Sequence, residues 1–210
     1  GRTVLCTGRT VLCTGRMVCT AGRTIYDRFI RDNHFYPHTP SGEDDVKDIR
    51  KAKFFLRDCG YIKFRQGRYS ITKKGSTLAE SFYPVTFYLE ILHYFVNKYN
   101  WLYSTRYNET MRFIQISAPF CFYIIKMKAD NFISGEELGG VYLRAFPSLA
   151  EGSNKKYGNL MIVSGFSYIF IHEIAFYLGL LDARGGRKII PGDFEYRSTD
   201  LFREVFQWKV

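Results

Sequence analysis

Between Tyr61 and Thr72, apolar and polar residues alternate on both sides of a Gln66-Gly67 pair, and no other stretch restricts the backbone so tightly. Ile62 and Phe64 fall on one face and Lys63 and Arg65 on the other. Tyr69 and Ile71 repeat the apolar face, with Arg68, Ser70 and Thr72 opposite. A period of two around a glycine-containing turn predicts a hairpin of two half-buried strands. Two turns satisfy the Gln-Gly pair: a two-residue connection, or a type I turn with Gly67 in a left-handed bulge. The two-residue register sets Arg65 opposite Arg68, a like-charge pair that destabilises a sheet. A bound polyanion relieves that repulsion, and so does solvation at the hairpin tip.

Helices are predicted on both sides. Val46, Ile49, Ala52, Phe55, Leu56 and Cys59 recur at spacings of three and four, an apolar stripe that stops at Gly60. Upstream, Ser41 ahead of Glu43, Asp44 and Asp45 reads as a helix start, because a serine cap and carboxylates both satisfy the positive helix end. Lys47, Arg50, Lys51 and Arg57 lie on or near the face opposite the stripe, and Thr72-Lys73-Lys74-Gly75 opens a second helix. Helix, hairpin, helix is the order of parts in a winged-helix domain. In helix-turn-helix arrangements a basic helix enters the major groove while basic side chains hold phosphates. Of the formal net charge of +10, +8 lies between Val46 and Lys74, where ten Lys and Arg face only Asp48 and Asp58. Such clustering selects an anionic partner, nucleic acid before a membrane surface. The candidate contacts to double-stranded DNA are Lys47, Arg50, Lys51, Lys63, Arg65, Arg68, Lys73 and Lys74.

The first 24 residues repeat: GRTVLCT, GRTVLCT, GRMVCTA, GRT. Their apolar residues are adjacent rather than spaced as a and d, and each repeat holds a glycine, so neither a coiled coil nor a helix follows. The segment reads as disordered or a weak strand, the product of a tandem DNA repeat or a misplaced reading frame. Ile25 to Asp32 predicts a short helix and His34 to Pro40 a loop. A winged helix needs two helices before its recognition helix, and about one fits here, so residues 25–83 read as a module truncated at its front. From Pro84 the chain reads as helical over Val85–Tyr103 and over Glu109–Lys128, with a kink at Pro119. A third helix starts at Ser134 with Glu136 and Glu137 and stops at Pro147. Trp101, Phe113, Phe120 and Phe170 are expected in the core. A helix over Leu160–Leu178 then leads to a second wing-like pattern: Gly179, a Gly185-Gly186 turn, an extended Phe194–Arg197, and Thr199 capping Asp200–Phe206.

Cys6, Cys13, Cys19, Cys59 and Cys121 form an odd set without a CxxC or paired Cys/His spacing, which argues against zinc or a disulfide framework and for a reducing, cytoplasmic setting. The apolar run Leu160–Leu181 contains His172, Glu173 and two glycines, and reads as a buried helix rather than a membrane span. No catalytic constellation emerges. His172-Glu173 lacks the second histidine of a zinc helix, Gly135, Gly139 and Gly140 make no phosphate loop, and Val163-Ser164-Gly165 lacks the first glycine of a nucleophile elbow. No cofactor is expected.

The run Leu56-Arg57, Gly60-Tyr61-Ile62 and Gly67-Arg68-Tyr69-Ser70-Ile71-Thr72-Lys73-Lys74-Gly75 resembles the wing of many bacterial winged-helix proteins. With Asn100-Trp101, Leu143-Arg144-Ala145-Phe146-Pro147 and Thr199–Trp208, the chain from Val46 to Val210 also resembles an uncharacterised bacterial family of plasmid and genomic reading frames. The expected fold class is mainly α with small β-hairpins: winged-helix-like modules at 25–83 and 159–210 around a helical middle at 84–158. The expected function is non-enzymatic nucleic-acid binding, of a transcription-regulatory kind. The alternative is a protein-interaction module that assembles with itself or a partner protein.

Overall fold

The computed structural model describes residues 12–13, 46–103, 111–150, 155–185 and 194–207. The first repeats, apart from Leu12–Cys13, lie outside that set, as do the helix expected at Ile25–Asp32, the His34–Pro40 loop and Ser41. The fold is mainly helical with two small antiparallel sheets, each of three strands. The chain divides into two compact units, Gly1–Ile91 and Leu92–Val210.

The first unit holds strand β1 (Leu12–Cys13), helix α1 (Lys47–Asp58), strands β2 (Ile62–Arg65) and β3 (Arg68–Ile71), helix α2 (Lys73–Glu80) and the start of α3 (Pro84–Asn97). Helix α1 begins after an extended Val46, downstream of the expected Ser41 start, with Asp48 as the carboxylate of its first turn. It ends in a left-handed Gly60 (φ +76°), where the Tyr61 N–H reaches back to the Leu56 carbonyl at 2.7 Å. Only glycine takes that conformation without a Cβ penalty, so the helix stops there. Gln66 (φ +50°) and Gly67 (φ +74°) are both left-handed, which resolves the turn as the two-residue, type I′ connection. Gln66 is the one described non-glycine with positive φ, at a cost of about 1–2 kcal/mol. The register pairs Ile62 with Ile71, Lys63 with Ser70, Phe64 with Tyr69 and Arg65 with Arg68. β1 adds to the far side of β3, with Leu12 opposite Tyr69.

The core of this unit is aromatic. Phe55, Tyr61 and Phe87 pack within 6.0 Å of one another, ring centre to ring centre. Two expectations fail around it. The stripe on α1 is rotated: Phe55 and Lys51 are buried while Ala52 is exposed. Lys51 lies one turn before Phe55, so seating Phe55 in the cluster draws the Lys51 stem inward. The hairpin is also barer than a half-buried sheet, with Phe64 47% and Ile71 57% exposed.

The second unit contains the end of α3, helices α4 (Arg112–Ile116) and α5 (Ala118–Lys128), strand β4 (Ile133–Ser134), α6 (Gly135–Ala145), a 3₁₀ turn at Pro147–Ala150, α7 (Lys155–Phe166) continuing as a π-helix over Ser167–Phe176, strands β5 (Leu181–Gly185) and β6 (Phe194–Ser198), and α8 (Asp200–Val205). The helix expected through Pro119 is two. The break falls at Ser117, whose hydroxyl donates to the Phe113 carbonyl at 2.8 Å, and Pro119 sits harmlessly in the first turn of α5. The expected start at Ser134 is a complete capping box with Glu137. The long apolar helix changes to π geometry where it is apolar on nearly every side, and Ile169, Phe170, Ile171, Ile174 and Ala175 are all buried. Trp101 stacks on Phe170 at 5.7 Å and donates its indole N–H to the Phe95 carbonyl. Phe113 and Phe120, expected in the core, are only half-buried, each edge-on to Phe146.

Candidate nucleic-acid interface

The two hairpins are built by one scheme. At the second, Gly179 is again left-handed (φ +73°) after a helix, and the Leu180 N–H reaches the Ala175 carbonyl at 2.9 Å. Thr72 and Thr199 then do the same work. The Thr72 hydroxyl donates to the Gly60 carbonyl at 2.7 Å and accepts from the Gly75 N–H at 3.1 Å. The Thr199 hydroxyl donates to the Gly179 carbonyl at 2.9 Å and accepts from the Phe202 N–H at 3.2 Å. Each threonine thus caps the closing helix and ties it to the end of the opening one. The third strand also adds alike, giving the orders β1-β3-β2 and β4-β6-β5.

Because the schemes coincide, the hairpins can be compared position by position. Where the second pairs Arg184 with Glu195, the first pairs Arg65 with Arg68; where the second pairs Asp182 with Arg197, the first pairs Lys63 with Ser70. In the second hairpin both cross-strand pairs are ion pairs, at 2.7 and 3.3 Å. In the first, Lys63, Arg65 and Arg68 share one face, all exposed, and no carboxylate pairs with them among the described residues. Lys73 is exposed in the first turn of α2, where a cation opposes the helix dipole.

The remaining four candidates stand differently. Lys51 is 2% exposed, which removes it from any contact surface in this conformation. Lys47 and Arg50 are half-buried beside it, so α1 does not present the open basic face that the sequence predicts. Lys74 is exposed but engaged: its ammonium donates to the Cys59 carbonyl at 2.9 Å, pairs with Glu90 at 3.1 Å and lies 4.2 Å over the Tyr61 ring. The Tyr61 hydroxyl donates to the same Glu90 carboxylate. Burial, then the Glu90 hydrogen bond and charge, raise the Tyr61 phenol above its usual range. Burial pulls the Lys74 ammonium down, but Glu90 and the Tyr61 oxygen outweigh it and leave Lys74 raised. Lys74 therefore locks the end of α1 to α3. Glu90 lies sixteen positions away on a helix whose apolar pattern gives no sign of that role.

The aromatic face, too, gives no separate signal in the sequence. Phe64 and Tyr69 are cross-strand neighbours with ring centres 4.7 Å apart, and the Lys53 ammonium lies 5.1 Å over Tyr69. At the equivalent place in the second hairpin Tyr196 is fully buried, and burial raises its phenol well above the usual range. Among the described residues no three His, Cys, Asp or Glu side chains converge to hold a metal. Comparison of the chain with protein-family models, curated proteins and solved structures returns no match.

Proposed function

We propose that this chain is a non-enzymatic, regulatory nucleic-acid-binding protein of two winged-helix-like modules, holding DNA through the first hairpin. The observation that carries the reading is the contrast between the hairpins. Positions that form cross-strand ion pairs in one carry Lys63, Arg65 and Arg68 in the other, without a counter-charge among the described residues. Facing guanidinium groups destabilise a sheet, and a row of phosphates supplies the missing negative charge. Lys73 is a further exposed cation, whereas Lys51 is buried and Lys74 is engaged by Glu90. The order helix, strand, helix, helix, strand, strand, helix from α5 to α8 supports the winged-helix part of the reading. In this arrangement the wing grips the backbone, so binding is insensitive to sequence and sensitive to salt.

The test is titration of random duplex DNA at several salt concentrations with wild type, Lys63→Ala/Arg65→Ala/Arg68→Ala and Arg184→Ala/Arg197→Ala. The first variant is expected to flatten the slope of log affinity against log salt by about 0.9 for each phosphate that is no longer neutralised. The second, whose cations are already paired, is expected to match wild type. Equal slopes for all three proteins would refute the wing as the DNA-binding surface. A second reading, self-association through the first unit, is favoured by the exposed Tyr83, Val85 and Leu89. Sedimentation over a range of concentrations decides it.

A further inference from the structure

We infer that the first hairpin also carries a site for unpaired nucleobases, formed by Phe64 and Tyr69 on the face opposite its cations, so that it selects DNA with a single-stranded segment over plain duplex. This rests on the reading above and deepens it. Successive residues of a strand point to opposite faces. The register therefore puts Lys63, Arg65 and Arg68 on one side of a narrow ribbon, and Ile62, Phe64, Tyr69 and Ile71 on the other. In the second hairpin the same face is closed: Leu181, Tyr196 and Ser198 are buried. In the first it is only partly covered: Ile62 and Tyr69 are half-buried, while Phe64 is 47% and Ile71 57% exposed.

A ribbon with an exposed aromatic on one side and, on the other, cations unpaired among the described residues has a specific chemical complement. Unpaired bases stack on the aromatics while phosphates of the adjoining duplex meet the charges on the other side, and the stacking tolerates any base because every base has a π-face. Paired bases inside a duplex do not offer that face without being unstacked. A duplex held by the cations and continuing into a single strand offers both at once. The turn geometry fits this use, since the left-handed Gln66-Gly67 connection keeps the loop to two residues and leaves Phe64 and Tyr69 only one cross-strand pair, Arg65 and Arg68, from the tip.

The experiment compares a plain duplex with the same duplex extended by a single-stranded overhang that contains 2-aminopurine, at one salt concentration. Wild type is expected to bind the overhang form about tenfold more tightly and to quench the 2-aminopurine by stacking. Phe64→Ala is expected to fall to the plain-duplex affinity on both ligands without quenching, keeping the wild-type salt slope. Phe64→Trp is expected to retain preference and quenching. Phe64→Leu keeps apolar bulk without a ring and is expected to behave as Phe64→Ala. Unfolding midpoints of all variants are measured alongside, and the exposure of Phe64 predicts little change. Equal binding of the two ligands by wild type, or a Phe64→Leu protein that still prefers and quenches the overhang, would overturn the inference while leaving the duplex reading intact. Failure of wild type to bind either ligand at low salt would remove both.

Discussion

Replacing Thr199 by Val tests whether the shared threonine device holds the second unit together. The side chain keeps its shape and β-branching, and loses one oxygen that makes two hydrogen bonds. One is the cap to the Phe202 N–H, and losing an N-cap costs about 1 kcal/mol. The other runs to the Gly179 carbonyl, worth about another 1 kcal/mol as a neutral pair. The Gly179 carbonyl stays hydrated, whereas the Phe202 N–H begins a helix turn whose side chain is buried. The sum is about 2 kcal/mol, which at a urea dependence of about 2 kcal/mol per molar lowers the midpoint by about 1 M. The chain has two tryptophans, so in a Trp208→Phe background Trp101, buried against Phe170, reports on this unit alone. Thr199→Ser keeps the oxygen and is expected to stay close to wild type. If Thr199→Val and Thr199→Ser unfold at the wild-type midpoint, the tie between Gly179 and α8 carries no energy and the argument from the shared scheme loses its physical basis.

Gly139→Ala, which by helix propensity alone would stabilise by about 1 kcal/mol, is expected instead to lower the thermal midpoint, because a Cβ there would lie 2.6 Å from the Val163 carbonyl oxygen. Cys121 is fully buried, and burial pushes its thiol up to about 12 against a smaller opposing hydrogen bond from Ser117. Its peptide is expected to stay unalkylated by iodoacetamide at pH 8 in the native protein and to be labelled in urea, as read by mass spectrometry. Tyr61 and Lys74 both have raised pKa values in the fold, so each contributes stability that is complete below its unfolded value, about 10, and lost as pH rises through the folded value. Stability measured from pH 9 to 11 is therefore expected to fall more steeply in wild type than in Tyr61→Phe; parallel curves would show that the Tyr61–Glu90 contact does not bias titration.

Local chemistry was enough to place most of the elements. Period-two alternation placed the first hairpin while leaving two turns open, Gly60 and Gly179 stopped their helices, and Ser134, Thr72 and Thr199 marked helix starts that the structure realises as caps. These signals are legible because they act within a few residues, where backbone geometry and hydrogen bonding leave few alternatives. Tertiary packing decided the rest. A basic residue on a helix is charged whichever way it faces, and only the seating of Phe55 turns Lys51 inward and leaves Ala52 outside. Lys73 and Lys74 are adjacent in the chain, yet Glu90 from another helix claims Lys74 alone. The alternation of the first hairpin resembles that of any half-buried strand. That Phe64 stays exposed and Tyr69 half-buried while Tyr196 is sealed follows from what packs against each face, and a period of two carries no record of the partner across it.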